Sequence, residues 1–160
     1  MLKELEMMAS KLNEERAQLM KLLESISEDD ATKTLVTEQW SIKDELAHLA
    51  GAERGMLGIG KRAAGGEHPH LPEGYNNDEY NARQVAKRRQ LPIAELRAEL
   101  QTTRQELLDF MNALTLEQLN LIGEHPLEGE VAVKDLCVII YNHETAHYRE
   151  IAAKVRELRK

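Results

Sequence analysis

Four long stretches of this chain place apolar residues at the 3.6-residue period of an α-helix, and no segment alternates as a half-buried strand would. That pattern predicts an all-α fold, a bundle of four long helices packed on one another. The first stretch, about Leu2 to Ser27, puts Leu5, Met8, Leu12, Leu19, Leu22, Leu23 and Ile26 on one stripe. Glu28-Asp29-Asp30 breaks it, and a polar connection leads to Trp40. Ser41 reads as an N-cap with Asp44 three residues on, a shortened capping box. The helix it opens carries Ile42, Leu46, Leu49, Ala50, Met56 and Leu57 and ends near Gly65-Gly66. Residues 65–76, rich in glycine and proline, read as a loop. At roughly 3.3 Å per residue such a loop can cross the length of a bundle.

A short helix is expected from about Asn77 to Arg89. Pro92 suits the first turn of the next long helix, whose stripe is Ile93, Leu96, Leu100, Leu107, Phe110, Met111 and Leu114. Thr115 to Gln118 reads as a capped single turn, and His125 to Gly129 as loop. The last helix runs from about Val133 to Arg159, with Leu136, Ile140, His143, His147, Ile151, Val155 and Leu158 on its buried stripe.

At 160 residues the chain suits a single domain over residues 1–160, and its one Phe and one Trp imply an aliphatic core. A net charge of −7 argues against a nucleic-acid surface, which needs a basic field. Cys137 is the only cysteine, so no internal disulfide can form. The longest purely apolar run, Leu136 to Tyr141, is far too short to span a bilayer, and the N-terminus shows no apolar signal core. The expected location is the cytoplasm, with no membrane partner.

Within the last stripe lies His143-Glu144-Thr145-Ala146-His147. Residues i and i+4 of a helix sit one above the other, so both imidazoles can reach one metal ion. The string matches H-E-x-x-H, in which the Glu serves a zinc protease as general base. The protease reading lacks a third ligand downstream. Only Tyr148 to Lys160 follow, and they continue the same helix, so Glu150 and Glu157 cannot return to the metal. The third ligand must come from upstream, and His48 is the best candidate. Three neutral imidazoles with an open fourth position form a catalytic rather than a structural pattern. Cys137 precedes His143 by six residues, roughly 600° of helical rotation, and is read as a core residue. Glu144 has two readings, as catalytic base or as a carboxylate that hydrogen-bonds a ligand imidazole. Gly51, Ala52 and Gly55, near His48, either admit a close helix crossing or leave room for a ligand. Tyr75, Tyr80, Asn81 and Tyr148 are candidates to shape a pocket, while His68, His70 and His125 fall in loops outside the site.

Trp40 to Leu49, Asn77 to Asn81 and the His143/His147 pair, in this order and spacing, resemble the DinB/YfiT-like metalloenzyme superfamily over nearly the whole chain. The resemblance implies a four-helix bundle of up-down-down-up topology, with a divalent metal, often Zn or Ni, on the family's ligand positions. Those positions carry over to His48, His143 and His147. It also implies, frequently, a homodimer. Some members are transferases or isomerases that use a low-molecular-weight thiol; others are hydrolases. This chain reads as the bundle alone, without the appended domain of some thiol-dependent members. The expectation is a metal-dependent enzyme acting on a small molecule through water or an external thiol. The alternative is a non-catalytic metal- or small-molecule-binding stress-response bundle.

Overall fold

The computed structural model describes residues 1–160. In chain order it contains α1 (Lys3–Leu23), α2 (Glu28–Lys33), α3 (Ile42–Ala64), α4 (Asn77–Arg88), α5 (Ile93–Ala113), a 3-10 turn (Gln118–Asn120), strands β1 (Ile122–His125) and β2 (Gly129–Ala132), and α6 (Val133–Leu158). The expected start of α3 is present. Ser41 accepts from the Asp44 amide while the Asp44 carboxylate accepts from the Ser41 amide. Ser27 and Asp30 form the same reciprocal box, so a short helix stands where a plain polar connection was expected.

The second difference is an antiparallel hairpin pairing Ile122 with Ala132 and His125 with Gly129. Its turn closes through Gly129 at φ +70°, a left-handed conformation that costs glycine little. Gly123 lets β1 lie close against α3, since a Cβ there would stand 2.8 Å from Ile59 Cγ2. Glu124 ties the 65–76 loop to this hairpin, its amide donating to Pro69 O at 2.9 Å and its carboxylate accepting from the Leu71 amide at 2.8 Å.

Two apolar clusters fix the helix directions. One joins the start of α1 (Leu5, Leu12), the end of α3 (Leu57), the end of α5 (Leu107, Met111) and the start of α6 (Leu136, Ile140). The other joins the end of α1 (Leu19, Leu23), the start of α3 (Ile42, Leu46), the start of α5 (Leu96, Leu100) and the end of α6 (Ile151, Val155). Helices α1 and α6 therefore run one way and α3 and α5 the other, the up-down-down-up order. The parallel pair α3 and α5 needs a connection running the length of the bundle, and the 65–76 loop with α4 supplies it. Helix α4 packs close to α3 because Gly51 and Gly55 lack side chains. A Cβ at Gly51 would lie 2.7 Å from Gln84 Cβ, and one at Gly55 2.7 Å from the Tyr80 hydroxyl.

Between the clusters lies a buried charged layer with one residue from each long helix: Arg16, Glu53, Arg104 and Glu144. Arg16 reaches Glu53 at 3.0 Å and grips Glu144 through Nε at 2.8 Å and Nη2 at 2.9 Å. Arg104 reaches Glu53 at 2.8 Å and also donates to Glu144. Each guanidinium further donates to a backbone carbonyl, Arg16 to Leu100 and Arg104 to Leu12. Two positive and two negative groups balance, which is the condition under which buried charge is tolerated.

Candidate metal centre

His48 lies on the second turn of α3, and its buried face meets the stripe of α6 that carries His143 and His147. His48 Nε2 and His143 Nε2 stand 3.0 Å apart. The ring of His147 closes the group, its centroid 4.9 Å from that of His48 and 4.6 Å from that of His143. One ligating nitrogen from each of the three lies within 4.8 Å of the others. Trp40 packs against His48, with ring centroids 4.9 Å apart. Burial, and after it the neighbouring imidazoles, pushes the His48 pKa down to about 3 and that of His143 to about 4. Both rings are therefore neutral at pH 7 and keep a nitrogen lone pair.

Behind His147 stands Glu45, one turn before His48 and fully buried at 0% exposure. Its Oε2 lies 2.7 Å from His147 Nδ1, within ion-pair range though off the axis of a straight hydrogen bond. Neither carboxylate oxygen of Glu45 has another partner. Glu150, exposed to solvent, approaches the same nitrogen at 3.5 Å.

The structure gives Glu144 a place different from the one a general base requires. One residue along an α-helix is a rotation of about 100°. In H-E-x-x-H the same offset lets the Glu serve as base; here it brings Glu144 into the Arg16 and Arg104 layer, where both guanidinium groups hold its carboxylate. Burial alone would raise the pKa of its carboxyl, but the Arg16 hydrogen bonds and the charges of both arginines outweigh it and hold the group below its ordinary value. Cys137 is also remote from the chemistry. It is buried in the first apolar cluster, and burial pushes its thiol up to about 11.

A cavity of about 470 Å³ opens beside His48 and His143. Tyr75, Tyr80 and Asn81 line it, whereas Tyr148 packs with the second apolar cluster instead. His125, expected in a loop outside the site, ends β1, is buried and also lines the cavity. Burial, the larger influence, lowers its pKa. His68 and His70 remain on the surface, near Glu130 at 3.0 Å and Glu124 at 3.5 Å respectively.

The sequence profile of the DinB superfamily matches residues 11–151. The chain belongs to the DinB superfamily. Solved structures share this DinB fold at low sequence identity. YfiT from Bacillus subtilis, described as a probable metal-dependent hydrolase with an unusual four-helix bundle topology, superposes with a TM-score of 0.81 at 19% identity, over 99% of this chain and 90% of that one. A mycothiol-dependent maleylpyruvate isomerase gives 0.79 at 14% identity, and the match covers 94% of this chain but 63% of the isomerase. The colibactin self-resistance protein ClbS, solved in complex with a dsDNA, gives 0.71 at 18% identity over 95% and 93% of the two chains. One DinB-like protein thus binds duplex DNA, so the exclusion of nucleic acid drawn from net charge is not supported. No curated protein is significantly similar to this sequence. No helix is long and apolar enough to cross a membrane.

Proposed function

We propose that this DinB-superfamily bundle is a divalent-metal-dependent enzyme acting on a small molecule, with His48, His143 and His147 holding the ion. The observation that carries the reading is the meeting of three imidazoles, two of which, His48 and His143, line a 470 Å³ cavity. The donor set fits such an ion. Two nitrogens each about 2.0–2.1 Å from one cation lie roughly 3 Å apart, and the two Nε2 atoms are separated by 3.0 Å. Imidazole ligands suit Zn or Ni. When bound, such an ion supplies a Lewis acid that lowers the pKa of water or of a thiol.

The chain's own residues hold and shield the site. Glu45 orients His147, Trp40 packs against His48, and Tyr75 and Tyr80 wall the cavity. Because the Cys137 thiol is buried and lies outside the cavity, the attacking group is water or an external thiol. Hydrolysis is supported by the likeness to YfiT, and thiol-dependent transfer or isomerisation by the likeness to the mycothiol-dependent isomerase. A homodimer, which the family resemblance implies, belongs to the same proposal.

One observation favours the alternative, a metal- or small-molecule-binding bundle without turnover. With Glu144 held by two arginines, Glu128 on the exposed hairpin turn is the only carboxylate that lines the cavity. Metal analysis of the purified protein tests the site itself. The wild type should carry one ion per chain and His48→Ala should lose it; an unchanged content in the variant would refute the three-histidine site. Assays of thiol transfer and of ester and amide hydrolysis on the loaded protein then separate enzyme from binder. Duplex binding at low salt, where phosphate contacts are strongest, tests the nucleic-acid question.

A further inference from the structure

We propose that His125 is a fixed hydrogen-bond donor in the cavity, and that it selects ligands presenting an uncharged oxygen acceptor, such as an amide, ester or ketone carbonyl. The proposal takes the cavity as the ligand site and so rests on the reading above. Nδ1 of His125 accepts from two backbone amides of its own turn, Leu127 at 3.3 Å and Glu128 at 3.2 Å. A ring nitrogen that receives two N–H groups carries no proton, so in the neutral ring the proton sits on Nε2. Both amides would face an N–H if the ring were doubly protonated, which disfavours the cation as well. Nε2–H makes no hydrogen bond inside the protein, and the ring lines the same cavity as His48 and His143.

This sets His125 apart from the ligand histidines. A metal needs an unprotonated ring nitrogen, and the one on His125 is engaged by the turn. What remains is an unpartnered donor on a ring that lines the cavity. The charge lining the cavity narrows the class further. No Lys or Arg lines it, and its polar groups besides the histidines and tyrosine hydroxyls are Asn77, Asn81, Asn142 and Glu128. An ion on the three histidines could itself take an anionic group, but apart from it a carboxylate or phosphate would meet no cation there, so the acceptor left for His125 is an uncharged one. An uncharged acceptor satisfies the Nε2–H, and a site built to hydrogen-bond an oxygen rejects the analogue that lacks it.

The test uses the full chain with ¹⁵N-labelled histidine. Long-range proton–nitrogen correlation at pH 7 should show His125 as the Nε2–H tautomer with and without zinc. Benzamide should shift that Nε2 resonance and bind about tenfold more weakly to His125→Phe, with partial recovery in His125→Gln, whose amide nitrogen restores a donor near Nε2. Toluene, which has no acceptor, should bind all three proteins alike. A proton on Nδ1, benzamide affinity equal in wild type and His125→Phe, or no benzamide binding to the wild type would each overturn the proposal. The tautomer is read on wild-type protein, so a variant that fails to fold leaves it testable. Neither measurement requires metal, so a failed metal site and a failed donor give different results.

Discussion

Replacing Glu45 by glutamine separates a role in the proposed metal site from an effect on the fold. Glu45 is a fully buried carboxylate whose sole neighbour of opposite character is His147 Nδ1 at 2.7 Å. If it accepts the Nδ1 proton, it fixes the tautomer that leaves Nε2 free for the ion and makes that nitrogen more basic. Losing such an outer partner typically lowers metal affinity about 10- to 100-fold, or about 1.4–2.7 kcal/mol at 1.36 kcal/mol per tenfold. Without metal the effect has the opposite sign. A buried carboxylate with no aligned hydrogen bond is costly, and the neutral amide removes that cost. Glu45→Gln should therefore bind zinc about 10- to 100-fold more weakly while its metal-free form melts at the same or a higher temperature. Competition against a chelating dye gives the first quantity and calorimetric melting the second. Unchanged affinity would refute the positioning role. A parallel fall in affinity and metal-free stability would show that Glu45 acts through the fold alone.

Glu144→Ala should destabilise the protein by about 3–5 kcal/mol in urea unfolding, because it leaves two buried arginines sharing the single carboxylate of Glu53 and so one buried positive charge uncompensated, yet leave metal content unchanged. The folded-state pKa of Glu144 is depressed, so its contribution is present above the ordinary glutamate value of 4.5 and is lost as pH falls through the lower folded value. Glu144→Gln should accordingly flatten the acid limb of the stability–pH curve measured by urea titration. Gly51→Ala should cost about 1–3 kcal/mol through overpacking, since its Cβ would meet Gln84 Cβ at 2.7 Å, next to the α4 backbone. Cys137, buried with its thiol near 11, should react with a thiol reagent only at the rate of unfolding, and Cys137→Ala should retain the metal.

Much of the fold was legible because its signals are local. The stripe of each long helix and the Ser41 and Asp44 box lie within single segments. The same box at Ser27 and Asp30 was hidden by the acidic run that it starts, which reads equally well as a break. The hairpin leaves no such signal, because strands of four residues are too short for alternation to register and β2 begins Gly-Glu. The charged layer left a trace in the sequence. Arg16 falls between Leu12 and Leu19, Glu53 between Ala50 and Leu57, and Arg104 between Leu100 and Leu107, each at a core-facing position of its own stripe. Their pairing could not be read, because it joins four helices. The histidines were legible for the converse reason, as two share one face of one helix. Glu45 stands in the first turn of α3, where an acid suits the helix dipole, and only the packing of α6 on α3 shows what it faces. His125 looked like a loop residue until the hairpin turned it into the cavity.

The central claim, that one ion is held by three imidazoles, is most directly tested by X-ray absorption on zinc-loaded protein. Three imidazole nitrogens at about 2.0–2.1 Å and no sulfur are expected, with one imidazole lost in His48→Ala. Two or fewer imidazoles in the wild type, or a sulfur scatterer near 2.3 Å, would contradict it.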